Sequence, residues 1–193
     1  MTIDGDTDEA MRAVGKHRLR TIVALRRALP LDDTAREGIP AITTRPFDPG
    51  RDTDELLEVN NAAFAWHPDQ GGWDRGRLAE AMSQRWVDPS GILVHAGTDG
   101  TLDGFCWTRV HDEFEPEVIA AGDPPLGEIW VIAAHPDSQG SRLGPALVAA
   151  GLDHLAEQGL GTAVLYTEEA NEPARRMYER MGFHLHERRG GYS

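Results

Sequence analysis

Cysteine is almost absent from this chain: among 193 residues only Cys106 occurs. One cysteine excludes an internal disulfide and any cysteine-rich zinc site, and a reducing cytoplasm is the expected setting. Its flanks, Gly104-Phe105 and Trp107, are apolar, which fits a buried, inert thiol rather than a nucleophile. Basic residues are also scarce. Lys and Arg number 19 against 32 Asp and Glu, a formal net charge of −13. That deficit excludes general nucleic-acid binding, which needs a basic surface. No apolar run approaches the length of a bilayer span, and no secretion-signal pattern opens the sequence. The histidines lack metal-ligand spacing except His184-x-His186, which alternates on one strand face and reads as a two-residue coincidence, so no metal is expected. Neither a Ser-His-Asp order nor a phosphate-binding Walker loop is present.

What remains is enough apolar residue, 40%, for one ordinary domain plus an extension. Residues 1–10 read as an acidic, disordered tail and residues 11–29 as ordered. Within the latter, the basic run Arg12 to Arg27 reads as the solvated edge of a packed segment. Residues 30–40 have linker composition, which places a boundary near Pro40 and a main domain over 41–193.

Within that domain the patterns predict a strand over Ala41–Arg45 and a helix capped by Asp52 or Thr53 that reaches Phe64. A second helix runs from a cap at Asp74 to Trp86. Strands over Ile92–Ala96 and Phe105–Val110 form a hairpin around Thr98-Asp99-Gly100. An acidic loop spans His111–Pro125. A strand over Ile129–Ala134, a helix over Leu143–Gln158, a buried strand over Ala163–Thr167 and a helix over Asn171–Arg180 follow. Gly182 stops that last helix and Phe183–His186 starts a final strand. The order β-α-α-β-β-β-α-β-α-β specifies an α/β fold with a sheet of mixed direction.

The stretch Gly127 to Gly144, G-E-I-W-V-I-A-A-H-P-D-S-Q-G-S-R-L-G, carries most of the chemistry. An apolar strand with an acid, Glu128, at its start leads through His135-Pro136 into a Gly-containing loop and a helix. The free N–H groups of a helix's first turn hold a pyrophosphate, and glycine lets the chain approach it. An acid before such a loop is placed to accept a proton. Together they point to a transferase that uses a phosphate-bearing carrier.

The element order, the Gln-x-x-x-x-Gly loop and the run E-E-A-N-E-P-A-R-R-M-Y-E-R-M-G-F resemble the GNAT N-acetyltransferase family over about Ala41 to Phe183. Three further stretches, V-N-N-A-A-F-A-W-H-P-D-Q-G-G-W, G-F-C-W-T-R-V-H and L-G-E-I-W-V-I-A-A-H-P, are similar to the C-terminal half of the mycothiol synthase family. Residues 11–30 are similar to the end of that family's first domain, so residues 1–40 read as its remnant.

The resemblance implies acetyl-CoA as co-substrate and a small-molecule amine as acceptor, the cysteinyl amine of cysteinyl-glucosaminyl-inositol. Alternatives are another small amine, or a degenerate domain that binds acyl-CoA without turnover. No oligomeric state is assigned. Glu128 is the implied base, and Tyr178 the implied proton donor or else an aromatic packed on the sheet. Ile132, Ala133 and Ala134 would follow the pantetheine arm. Gln139, Gly140, Ser141, Arg142, Leu143, Gly144 and Pro145 would hold the pyrophosphate. Asn171, Glu172, Pro173, Ala174, Arg175 and Arg176 would border the arm's other side. Asp69, Arg109, Glu128 and Tyr166 would meet the acceptor, with Asp69 alternatively a turn former.

Several positions depart from the family pattern. Arg142 replaces a glycine, so its side chain either crowds the pyrophosphate or forces φ out of a Gly-only region, or else it pairs with a phosphate. Asp69 stands for a glutamate, Arg109 for a lysine, and Trp130 and Ala133 for the usual Tyr and Gly. The sequence after His186 leaves the family's seventh strand without a counterpart.

Overall fold

The computed structural model describes residues 18–67, 70–112, 124–138 and 140–192. The acidic tail 1–10 and most of the acidic loop after His111 lie outside them. Strands β1 (Arg18–Ala28), β2 (Arg45–Pro46), β3 (Ile92–Ala96), β4 (Leu102–His111), β5 (Leu126–Ala134), β6 (Thr162–Glu168) and β7 (His184–Tyr192) form one sheet. Helices α1 (Asp33–Arg36), α2 (Thr53–Ala63), α3 (Arg75–Met82), α4 (Leu143–Glu157) and α5 (Glu172–Arg180) complete the described elements. The strand order is β2-β3-β4-β5-β6-β1-β7. Only β5 and β6 run parallel; the other neighbours are antiparallel. This is the expected mixed sheet flanked by helices.

Four expectations change. The sheet begins before the boundary drawn at Pro40, because β1 lies between β6 and β7 and pairs with both. Alternation explains its place: Val23 and Leu25 enter the core while Ala24 packs on the opposite face. Arg27, within the run read as solvated, is buried and donates to the Met181 carbonyl. The linker-like residues dock as well. Leu31 is buried, Arg36 pairs with Asp153, and Arg142 donates to the Gly38 carbonyl. The end of the sheet is not short of strands either. β7 continues to Tyr192, and β1 fills the slot between β6 and β7.

The core divides between the two faces. Leu147, Leu152 and Leu155 of α4 pack with Cys106, Ile129, Leu165, Met181 and Phe183. Across the sheet, Leu56 and Val59 of α2 and Leu78 of α3 pack with Ile92, Val94, Phe105, Trp107 and Val131. Each such buried side chain contributes about 1.5–3 kcal/mol relative to exposure. Gly151 brings α4 against β4: a Cβ there would lie 2.5 Å from Cys106 Sγ. Burial pushes the Cys106 thiol up to about 12, the state of an inert core thiol.

Local chemistry sets the element ends. The opening strand, expected over Ala41–Arg45, is only Arg45–Pro46. Asp52 precedes α2 but caps nothing with its side chain. Its carboxylate instead accepts from Arg45 (2.6 and 2.8 Å), Arg51 (2.9 Å) and the Asp48 amide (2.8 Å). Asp74 does cap α3, through the Arg77 amide, and α3 ends at Met82 rather than at Trp86. Asn171 caps α5 through the Ala174 amide, and Gly182 follows that helix at φ +79°.

Candidate active site

The parallel pair β5–β6 stays together for only three residues: Gly127 opposite Ala163, Glu128 opposite Val164 and Ile129 opposite Leu165. Beyond them the strands part. The cause lies on the other edge of β5, where Thr108 faces Ile129 and Trp107 faces Val131, leaving Trp130 as an extra residue. Such a bulge bends a strand and strengthens its twist. It also lets Trp130 and Val131 pack on the same side, which strict alternation forbids. The Trp130 ring sits 4.7 Å from Trp107, 4.9 Å from Trp86 and 6.4 Å from Trp73. These aromatic pairs hold the bulge in place.

A cleft of about 390 Å³ opens where the strands part. Ile129–Ile132 line one side and Leu165–Glu168 the other, with Asn171, Ala174 and Tyr178 from α5. Phe64, Trp66, His67 and Gln70 stand at its mouth, where Trp66 is 63% exposed. The backbone of β5 beyond Ile129 takes no pairing from β6, so its polar groups on that edge face the cleft.

The residues expected at the carrier divide. Ile132 lines the cleft, whereas the Ala133 methyl packs in the opposite core with Phe105 and Trp107. Ala134 packs against the α4 side. Gln139 lies outside the described residues. Gly140 has φ +86° and Arg142 φ +63°, the only non-glycine with positive φ among the described residues. A left-handed conformation costs a non-glycine residue about 1 kcal/mol. Ser141 Oγ donates to the Ser138 carbonyl and accepts from the Leu143 amide at 3.3 Å, which orders the start of α4. The Gly144 amide falls in the first turn of α4, while Pro145 contributes no N–H there.

Pro145 turns into a neighbouring cavity of about 610 Å³, lined also by Gly38, Arg142, Pro173, Arg176 and Arg180. Of the α5 residues, Asn171 and Ala174 thus meet the first cleft and Pro173 and Arg176 the second. Glu172 pairs with Arg176 at 2.9 Å, and Arg175 donates to the Glu169 carbonyl at 3.2 Å.

Among the residues expected at the acceptor, Glu128 is the third residue of β5, near the strand start where it was expected. It is 5% exposed and does not itself line the cleft; it lies in the paired stretch of β5 and β6, one residue before the strands part. Its Oε2 lies 2.6 Å from His111 Nε2, and His111 is 2% exposed. Arg109 stands directly across from Glu128 on β4, its guanidinium 4.5 Å from the Trp86 ring. Tyr166 lines the cleft from β6, with the Arg189 guanidinium 5.3 Å from its ring. Burial raises the Tyr166 phenol above its ordinary range, Arg189 opposing and Glu128 adding to the rise. Tyr178 lines the cleft and also packs on Phe183, ring centroids 5.8 Å apart. Burial, with a smaller contribution from Cys106, raises its phenol well above the ordinary range. A phenol so held keeps its proton at neutral pH, as a donor must. Asp69 lies outside the described residues.

Sequence reasoning missed His111. Its signal is its position two residues after Arg109, on the β4 face that meets Glu128, but the register of β4 on β5 is needed to see it. Arg20 and Ile22 of β1 were missed as cleft residues for the same reason.

The family model described as "Acetyltransferase (GNAT) family" matches residues 55–183. This chain belongs to the GNAT acetyltransferase family. It is 47% identical over 176 residues to a protein named mycothiol acetyltransferase from Acidimicrobium ferrooxidans, covering 91% of this chain and 54% of that one. A protein of the same name from Stackebrandtia nassauensis is 43% identical over 183 residues, covering 93% and 57%. The chain thus spans about half the length of these curated relatives. A crystal structure of a GCN5-related N-acetyltransferase from Sphaerobacter thermophilus superposes with TM-score 0.72 at 23% identity. It covers 97% of this chain and 55% of that one, and it bears on the fold alone. Among the described residues no group of His, Cys, Asp and Glu could hold a metal ion, and no helix is long and apolar enough to cross a membrane.

Proposed function

We propose that this GNAT chain transfers acetyl from acetyl-CoA to a primary amine, the cysteinyl amine of cysteinyl-glucosaminyl-inositol. The carrying observation is the parting of β5 from β6 directly above a buried Glu128 and facing Tyr178. The names of the relatives support the acceptor.

The chain's own groups suit each step. Acetyl-CoA, when bound, supplies the thioester whose carbonyl carbon the amine attacks. The unpaired edge of β5 beyond Ile129 offers amides to the thioester oxygen and the pantetheine. The Gly140–Arg142 turn and the first turn of α4 offer backbone amides and a helix N-terminus to the pyrophosphate. An amine attacks only when neutral, so its ammonium must first lose a proton. Glu128 takes that proton through a water, because its carboxylate is buried and does not itself line the cleft. Tyr178 gives a proton to the departing thiolate. Tyr166, Arg109 and Asp69 present a phenol, a cation and a carboxylate to the hydroxyls and amino-acid part of the acceptor.

Isothermal titration with acetyl-CoA tests the first half of this reading, and saturable binding is expected. A thiol-release assay then compares cysteinyl-glucosaminyl-inositol with a panel of polyamines and peptides. Fastest release with the first confirms the acceptor; a faster panel member reassigns it. Binding without release from any amine identifies a non-catalytic acyl-CoA-binding domain.

A further inference from the structure

We propose that His111 is a positioning residue for proton transfer in this cleft. Its Nε2–H holds one oxygen of Glu128, keeping the carboxylate charged and turning the other oxygen toward the acceptor. The inference rests on reading Glu128 as the base.

The two side chains meet because of sheet register. Arg109 faces Glu128 and His111 faces Leu126, so His111 reaches Glu128 along the diagonal of the β4–β5 ladder. On β4, Arg109 and His111 share one face by alternation, while Val110 packs on the other, against the α4 core. The 2.6 Å separation is that of a charge-assisted hydrogen bond. An ionised carboxylate can only accept, so the ring nitrogen facing it carries the hydrogen. A carboxylate buried this far costs several kcal/mol if it stays charged without a donor. The His111 donor offsets that cost.

Other charged and titratable groups face Glu128 as well. Arg109 stands opposite on β4, and Tyr166 approaches from β6. Arg189 on β7 acts on Glu128 directly as well as on Tyr166, and Glu187 on β7 and Arg26 on β1 act on Tyr166. Arg189 is bound to Glu187 at 2.9 Å and Arg109 is stacked on Trp86. His111 holds the oxygen itself at hydrogen-bond distance. When the acceptor's ammonium gives up its proton, its N–H bond breaks, the intervening water takes that proton and passes one of its own on, and an O–H bond forms on the free oxygen, Oε1. His111 keeps its own proton throughout.

The test measures kcat/KM against pH for the wild type, His111→Leu and His111→Gln, with calorimetric acetyl-CoA affinity for each. Removing the donor disfavours the charged carboxylate, so His111→Leu should move the acid limb up by about one pH unit or more. Turnover near neutrality should fall by about tenfold or more, with acetyl-CoA affinity unchanged within about twofold. His111→Gln, which restores an N–H donor, should return the limb toward wild type. An unmoved limb in His111→Leu, or equal shifts in both variants, overturns the proposal. Should His111→Leu fail to fold, ¹⁵N-histidine NMR of the wild type decides. The Nε2–H tautomer at neutral pH, with a resonance that moves in Glu128→Gln, supports it; the Nδ1–H tautomer overturns it. Glu128→Gln separates the two readings. If that variant turns over normally, Glu128 is not the base. If it is inactive while His111→Leu keeps the wild-type limb, only the role of His111 fails.

Discussion

The two walls of the proposed site are assembled on different scales of the chain. The carrier wall would come from contiguous pieces: Ile129–Ile132 of β5, which line the cleft, the turn at Gly140–Arg142, and the first turns of α4 and α5. It would work through backbone groups and helix ends. The acceptor wall would draw single side chains from four strands: Arg109 and His111 from β4, Glu128 from β5, Tyr166 from β6 and Arg189 from β7, of which Tyr166 alone lines the cleft. It would work through charge and proton exchange. The contrast teaches that the first wall tolerates changes of side chain but not of backbone, whereas the second depends on sheet register.

Substitutions can break or sharpen this contrast. Outside the Glu128–His111 pair, the largest effect is expected at Tyr178, which lines the cleft from α5. Tyr178→Phe should lower kcat by about a hundredfold while acetyl-CoA affinity, read by calorimetry, stays within about twofold. Equal loss in both would make Tyr178 a packing residue only.

Asp52 lies outside both walls and serves as a control for stability. Arg45 first, then the Asp48 amide and Arg51, lower its carboxyl from 3.8 to about 2, against the opposing cost of burial. A group depressed on folding stabilises fully above its unfolded value. That contribution is therefore present above about pH 4, is lost as pH falls toward 2, and amounts to roughly 2 kcal/mol. Asp52→Asn should lower denaturant stability by about this amount at pH 7, and by progressively less on acidification, with per-molecule turnover unchanged.

Gly140 probes the carrier wall alone. At φ +86° a β-branched residue is strained by about 1–2 kcal/mol, so Gly140→Val should weaken acetyl-CoA binding by about tenfold. The acid limb of kcat/KM should stay in place. The smallest effect is expected for Arg142→Gly. The guanidinium is tied to the Gly38 carbonyl at 2.8 Å, so acetyl-CoA affinity should change by less than about threefold. A larger loss would show that this side chain leaves Gly38 to pair with a phosphate.

The same contrast explains what could be read before the structure. α4, α5, β3 and β6 follow from apolar periodicity and from local stop and start signals such as Asn171 and Gly182. The buried fate of Cys106 follows from its neighbours. Arg142 is an exception: one expectation for its side chain is a φ forced out of the left-handed region, yet φ is +63°. By contrast, nothing within Arg18–Ala28 says which strands it will separate, since that slot is set by β6 and β7 more than a hundred residues away. The bulge at Trp130 depends on ring contacts from three other segments. The His111–Glu128 contact depends on how β4 is registered on β5. The cap assigned to Asp52 failed for a related reason: Arg45, seven residues earlier, claims the same carboxylate.

The most direct test of the account compares wild type with Glu128→Gln in one preparation, following CoA thiol release with cysteinyl-glucosaminyl-inositol at neutral pH beside calorimetric acetyl-CoA affinity. Loss of the buried base should slow turnover by about a hundredfold or more, with binding unchanged within about twofold. Equal turnover in the two proteins would contradict it.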